Sequence, residues 1–226
     1  MNVKAIIFDF DGTLMDSEAA VLTALKRTLA DFAVPIPEGT PLRQLSCHRI
    51  EDIVAPMGIA DADRQRAFVA AYNDIYRQVF ADEARLFRGV RRTLARLQNR
   101  GVRMAVATNE VSENLACFLP QLSLVDFFET TICADEVTRS KPHPEMALTV
   151  MGRMGMEAAH TLMVGDSFLD IEMGRRSGCR TCGICHDARH REQLAEHAPD
   201  WIVDNLEAVA ALIEGRRVCT INEKEY

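Results

Sequence analysis

The sequence predicts an α/β protein in which a doubly wound parallel sheet carries an all-helical domain inserted after its first strand. Three observations predict this fold. Short apolar runs recur without polar alternation, which is typical of strands buried on both faces. From about residue 85 onward these runs alternate with helical patterns, as in a doubly wound sheet. Between Thr13 and Arg85 no strand pattern appears.

The strands of the predicted core are the apolar runs themselves. They cover residues 3–8, 102–107, 130–133, 161–164, 181–184 and 201–203. Helices are predicted over residues 89–100, 145–154, 169–177 and 206–213, where apolar residues recur at helical spacing. Gly101 suits the position that follows the first of these helices.

The inserted domain shows helical spacing over residues 17–32, 50–54 and 64–80. A long excursion from a sheet without strands generally forms a subdomain of its own. We therefore assign residues 1–15 and 84–226 to the core and residues 16–83 to the helical insertion.

The charge balance excludes several function classes. The chain has 26 basic and 33 acidic residues, a net charge of −7, which argues against a nucleic-acid partner. It contains no apolar run of about 18 residues or more, so we expect no membrane span. Its seven cysteines are odd in number and mostly lie in apolar segments, which indicates reduced thiols and a cytoplasmic location.

Polar side chains follow four of the predicted strands directly. Ligand sites of open α/β sheets lie outside the carboxyl ends of the strands. We therefore expect these side chains to meet at one rim of the sheet. They are Asp9 and Asp11, Thr108 and Asn109, Lys141, and Asp166 and Asp170.

This combination of residue types suits phosphate chemistry. Alone, Asp9 and Asp11 before Gly12 would favour an exposed acidic turn, and the spacing of a calcium loop is absent. With the other strand ends, carboxylates, one lysine and one threonine form a set that binds a metal and a phosphate. Mg²⁺ accepts one or two carboxylates and lets an anionic phosphate approach an anionic nucleophile. Lys141 offers a compact positive charge to the phosphoryl oxygens.

Four segments resemble the haloacid dehalogenase superfamily, in that family's order. They are residues 9–17, 108–109, 141–145 and 165–170. The resemblance is to the phosphatase kind, and it implies a Rossmann-like core with a small helical cap, here residues 16–83.

The resemblance implies a covalent mechanism. Asp9 would be the nucleophile that forms an aspartyl-phosphate, and Asp11 would protonate the leaving alcohol and then activate water. Thr108, Asn109 and Lys141 would bind the substrate phosphate, with Thr108 and Lys141 also counted as catalytic. The metal ligands for Mg²⁺ would be Asp9, Asp11, Asp166 and Asp170.

The substrate is a small phosphorylated metabolite by the same resemblance, with phosphoglycolate as the leading expectation. The acidic residue Asp11 distinguishes the chain from the dehalogenating and phosphonate-cleaving members of the superfamily, which have no acidic residue at this position. Val21 stands where mutase relatives carry a histidine. In the cap, Arg43 and His48 are candidates to contact the substrate, although ordinary exposed cap charges are equally consistent with these residues.

Alternatives remain open. The substrate could instead be a sugar phosphate, a nucleotide or pyrophosphate, or the protein could carry a phosphoaspartate for signalling or binding without turnover. The spacing of Cys179, Cys182 and Cys185 resembles a metal-binding run, but the run overlaps a predicted core strand. We expect Glu110 to point to solvent at a helix start. The protein is expected to be a monomer or homodimer.

Overall fold

The computed structural model describes residues 2–36, 42, 49–186 and 191–216. It divides the chain into two compact units, one of Met1–Leu14 with Leu86–Tyr226 and one of Met15–Arg85. We call the first the α/β unit and the second the helical unit.

The strands of the described residues belong to two sheets. They are β1 (Ala5–Phe8), β2 (Met15–Asp16), β3 (Arg85–Leu86), β4 (Arg103–Thr108), β5 (Thr130–Cys133), β6 (Thr161–Gly165), β7 (Arg180–Ile184) and β8 (Trp201–Val203). The larger sheet has the order β5-β4-β1-β6-β7-β8, and its neighbours pair in parallel. β2 and β3 form a separate two-stranded sheet.

The central strand explains why the sheet could be predicted. All residues of β1 are buried, since it lies between β4 and β6 with covered faces. After β1, the chain adds β4 and β5 on one side of this strand. It then crosses back and adds β6, β7 and β8 on the other side. The switch in direction therefore falls between β1 and β6, where ligand crevices form in such sheets. The predicted doubly wound α/β core is confirmed.

Among the described residues, the helical unit contains α1 (Glu18–Asp31), α2 (Ile50–Val54) and α3 (Ala62–Glu83). The buried face of α1 includes Leu25 and Leu29 at helical spacing. Just beyond α1, Phe32 meets Phe68 of α3 edge to face, with ring centroids 5.1 Å apart. Aromatic packing therefore joins the two long helices of this unit.

The helices that are described in the α/β unit alternate with its strands along the chain. They are α4 (Val90–Asn99), α5 (Ser112–Gln121), α6 (Glu145–Met154), α7 (Phe168–Arg176), α8 (Arg191–Glu196) and α9 (Leu206–Ile213). The predicted helices end within one or two residues of the observed bounds, apart from α3, which extends further in both directions.

The structure contains two strands and two α-helices that we did not predict, namely β2, β3, α5 and α8. The expectation of no strand between Thr13 and Arg85 is wrong, because Met15 and Asp16 form β2, which is too short to show a period. The prediction also missed α5 and α8. The buried Leu115, Phe118 and Leu119 of α5 follow helical spacing and were a readable signal.

Within the described part of the chain, no helix combines the length and apolarity that crossing a bilayer requires. The structure describes five of the seven cysteines. Of these, Cys117 is exposed, and Cys133, Cys179, Cys182 and Cys185 are buried.

The packing of α4 makes a prediction about stability. Leu97 is 0% exposed in the core, so Leu97→Ala should lower the free energy of unfolding by about 2–5 kcal/mol. The melting temperature should fall by roughly 5–15 °C. Asn99→Ala, at an exposed position of the same helix, is the control and should change the free energy by about 0.5 kcal/mol or less. Equal losses in the two variants, measured by thermal and urea denaturation, would contradict the assignment of the core.

Candidate active site

Asp9 stands directly beyond the carboxyl end of β1. Its N–H donates to the carbonyl of Val164 in β6 at 2.9 Å, so the sheet fixes the backbone that carries the carboxylate. The chain then turns at Gly12, whose φ is +81°. A Cβ at Gly12 would lie 2.2 Å from Oδ2 of Asp166, so a glycine is needed where the turn approaches that carboxylate.

Lys141 is the positive charge of the site. It lies in the loop between β5 and α6, and its Nζ donates to Oδ1 of Asp9 and Oδ1 of Asp170, each at 2.6 Å. The side chains of all three residues are at least nine-tenths buried. Glu145, at the start of α6, accepts from the N–H groups of Thr138 and Arg139 and so holds this loop.

Asp166 lies between β6 and α7, and Asp170 lies in the first turn of α7. Oδ1 of Asp166 accepts from Oγ1 of Thr13 at 3.2 Å. Oδ2 of Asp170 accepts from the N–H and Oγ of Ser167, at 3.1 and 2.6 Å, in a capping box that begins α7. One carboxylate oxygen from each of Asp9, Asp166 and Asp170 lies within 4.8 Å of the others.

Burial and the neighbouring carboxylates raise the pKa values of Asp9 and Asp166. Burial raises the pKa of Asp9 to about 7, with Lys141 lowering it and the charges of Asp170 and Asp11 raising it. Burial, and then the charges of Asp9 and Asp170, hold the pKa of Asp166 well above its ordinary value. Burial lowers the pKa of Lys141, but the two carboxylates outweigh it, so the pKa is raised and the ammonium stays charged.

The end of β4 supplies the neighbouring wall. Thr108 is buried, and its Oγ1 accepts from the N–H of Glu110 at 3.1 Å. Asn109 carries a buried Oδ1 without a hydrogen-bond partner among the described residues. Glu110 does stand at a helix start, but it is half-buried, and its Oε1 accepts from the N–H of Val111 and from Nδ2 of Asn114. Its carboxylate therefore stabilises the start of α5.

The structure brings together Asp9, Lys141, Asp166 and Asp170, which were predicted from strand ends far apart in the sequence. Asp11 follows Asp9 and is half-buried, and Thr108 and Asn109 end the strand beside β1. Arg43 and His48 lie outside the described residues.

Two side chains outside the predicted set of site residues support the site. Ser167 caps α7 through Asp170, and the hydroxyl of Thr13 bonds to Asp166. The spacing Ser167-x-x-Asp170 is a capping-box signature, so the first could have been found from the sequence.

The cysteine run does not form a metal centre among the described residues. Among the described residues, the side chains close enough together to hold a metal ion are those of Asp9, Asp166 and Asp170. Burial raises the pKa of Cys179, and of Cys182 to about 12, which keeps these thiols protonated. The expectation that this run is a core strand holds, since β7 contains Cys182.

The aspartate cluster fits a divalent cation in its donor chemistry. Mg²⁺ prefers oxygen ligands, and carboxylate oxygens of three aspartates lie close together here. One buried ammonium faces these carboxylates. The negative charge that remains is what a divalent cation would balance.

An open parallel α/β sheet with aspartates and a lysine at its carboxyl edge defines the class of hydrolase that the sequence resembles. The sequence-family model described as haloacid dehalogenase-like hydrolase matches residues 6–184 of the chain. The chain belongs to this family, which confirms the resemblance drawn from the four segments.

The comparisons also give individual relatives. The protein named "Probable phosphatase IndB" of Dickeya dadantii is 32% identical, over 90% of each chain. The phosphoglycolate phosphatase of Pectobacterium atrosepticum is 29% identical, over 93% of this chain and 92% of that protein. A haloacid dehalogenase-like family hydrolase from Streptococcus pneumoniae has the same fold, with a TM-score of 0.80 and 22% identity over 94% of this chain and 99% of that one.

The raised pKa of Asp9 predicts a pH-dependent stability. The pKa of Asp9 is about 7 in the folded chain, against an ordinary value of 3.8. Its ionisation therefore opposes folding, with no cost below pH 4 and the full cost above pH 7. Asp9→Asn should be more stable than the parent by about 1–3 kcal/mol at pH 8, in chelator, with the gain vanishing towards pH 4. Urea denaturation at several pH values measures this.

The control for that comparison is Asp126→Asn, at an exposed carboxylate. Its stability should follow that of the parent at each pH. A difference between Asp9→Asn and the parent that is the same at pH 4 and pH 8 would contradict the origin assigned to it.

Proposed function

We propose that the protein is a Mg²⁺-dependent phosphatase that hydrolyses a small phosphorylated metabolite, such as phosphoglycolate, through an aspartyl-phosphate on Asp9. The observation that carries the proposal is the buried carboxylate of Asp9 at the carboxyl end of β1, 2.6 Å from Nζ of Lys141 and close to Asp166. The relatives named as phosphatases support the reaction type, and the phosphoglycolate phosphatase supports the substrate class.

Asp9 acts as the nucleophile in this proposal. Its carboxylate attacks phosphorus, and the bond from phosphorus to the leaving oxygen breaks. Lys141 holds Oδ1 of Asp9 and reduces the repulsion between the two anions. A covalent intermediate divides one difficult displacement into two easier ones.

Asp11 acts as general acid and then general base. It donates a proton to the leaving alcohol and later takes a proton from the water that attacks the aspartyl-phosphate. That attack breaks the bond between phosphorus and the Asp9 oxygen, which releases inorganic phosphate and restores the carboxylate. Unlike Asp9, it is half-buried, which gives it access to solvent protons. Thr108 and Asn109 are assigned to the phosphoryl oxygens with Lys141, since phosphoryl transfer depends mainly on positioning and charge neutralisation.

Mg²⁺ would be held by Asp9, Asp166 and the backbone carbonyl of Asp11, with Asp170 holding its surroundings in place. When bound, the ion neutralises charge on the phosphoryl group and on the nucleophile. The helical insertion, assigned from the sequence as residues 16–83, would serve as a cap that limits the substrate to small molecules. We continue to expect that the enzyme is cytoplasmic and that it is a monomer or a homodimer.

Asp9→Asn tests the nucleophile. The amide cannot form the acyl-phosphate, so turnover of the substrate should fall by at least about 1000-fold. Steady-state release of inorganic phosphate measures the loss, and circular dichroism checks the fold. The exposed Asp126→Asn is the control and should keep the parent rate. Release of phosphate by Asp9→Asn at the parent rate would show that the assignment is wrong.

A panel of phosphorylated metabolites tests the metal and the substrate together. We expect hydrolysis of phosphoglycolate with Mg²⁺, loss of activity in chelator, and recovery when Mg²⁺ is restored. Sugar phosphates, nucleotides and pyrophosphate complete the panel, and a higher kcat/KM for one of them would replace phosphoglycolate as the substrate. A stable phosphoprotein formed from acetyl phosphate, without turnover of any ester, would favour the signalling alternative instead.

A further inference from the structure

His186 lies directly beyond the strand β7, outside the segments that carry the family resemblance. The N–H of Cys185 donates to the carbonyl of Val203 in β8 at 2.8 Å. The sheet therefore fixes the backbone immediately before His186, and the imidazole extends from a rigid base.

The imidazole contacts the turn that follows Asp9. Nε2 of His186 lies 3.2 Å from the backbone carbonyl oxygen of Thr13. A carbonyl oxygen can only accept a hydrogen bond, so Nε2 carries the proton and donates it. This contact joins the carboxyl end of β7 to the turn between Asp9 and Leu14.

That turn bears directly on Asp166. Oγ1 of Thr13 donates to Oδ1 of Asp166, and the backbone of Gly12 approaches Oδ2 so closely that a Cβ would lie 2.2 Å from it. The N–H of Leu14 closes the turn on the carbonyl of Phe10 at 2.9 Å. A displacement of the carbonyl of Thr13 would therefore move both contacts that Asp166 makes with the turn.

The ring of Phe87 fixes the orientation of the imidazole. The two rings are stacked with centroids 3.4 Å apart and an angle of 12° between their planes. The N–H of Phe87 also donates to the carbonyl of Leu14 at 3.1 Å. The stacked pair thus holds the turn at two successive carbonyls, those of Thr13 and Leu14.

We propose that His186 is a positioning residue, which holds the turn of residues 12–14 in place through the carbonyl of Thr13 and so keeps the carboxylate of Asp166 in the geometry that catalysis requires. The part of this inference that concerns catalysis rests on the proposed phosphatase function. The part that concerns the turn rests on the contacts alone.

Two substitutions separate the hydrogen bond from the ring. His186→Phe keeps a ring that stacks on Phe87 but removes the donor. His186→Gln removes the ring, and its amide nitrogen takes the place of Nε2 as donor. His160→Phe is the matched control, because Nδ1 of His160 meets the backbone carbonyl of Asn2 at 3.0 Å, outside the site.

The activity readout uses p-nitrophenyl phosphate with titrated Mg²⁺. His186→Phe should lower kcat by about three- to tenfold, the worth of one hydrogen bond, and raise the Mg²⁺ concentration for half-maximal rate. KM for the ester should stay within about twofold. His186→Gln should recover kcat to within about twofold of the parent, and His160→Phe should match the parent.

Amide hydrogen exchange reads the turn without reference to activity. Exchange at Leu14 and Phe87 should be faster in His186→Phe, and close to the parent in His186→Gln and His160→Phe. Unchanged exchange in His186→Phe, or a folded His186→Gln that shows no recovery, would overturn the proposal. If the parent hydrolyses no phosphate ester, the proposed function fails, and the exchange at Leu14 still decides the role of His186.

Discussion

The buried ammonium of Lys141 is the interaction on which the site depends. It joins Asp9, which follows β1, to Asp170, which begins α7, at 2.6 Å each. Three carboxylates that lie this close would repel one another and lose their hydration without a cation between them. Burying an ion pair adds little net stability, but removing the lysine would leave the charge of the carboxylates unbalanced in the core. The lysine thus fixes which segments must meet.

The parallel sheet brings those segments to one edge. Phe8 pairs with Val106 on one side and with Val164 on the other. The residues that follow β1, β4 and β6 therefore leave the sheet at the same level, although they are far apart along the chain. The switch in strand order between β1 and β6 opens a crevice there, where Asp9 and Asp166 stand.

The sheet and its carboxyl edge could be predicted because fully buried strands, such as β1, are continuous apolar runs. The charged residues that follow them are conspicuous for the same reason. The contact of His186 with Thr13 could not be predicted, since it joins residues whose proximity depends on the tertiary fold. The half-buried position of Glu110 likewise depends on Asn114 one helical turn further on.

The carboxylate of Asp170 takes part in the charge cluster and in the cap of α7. One oxygen receives the ammonium of Lys141, and the other receives both donors of Ser167 at the start of α7. Fraying of the first turn of this helix would release the carboxylate whose other oxygen anchors the lysine, and withdrawal of the lysine would loosen the turn. Local opening of α7 and disassembly of the charge cluster should therefore be a single cooperative event, so that the cluster cannot persist in a chain whose α7 has begun to unwind.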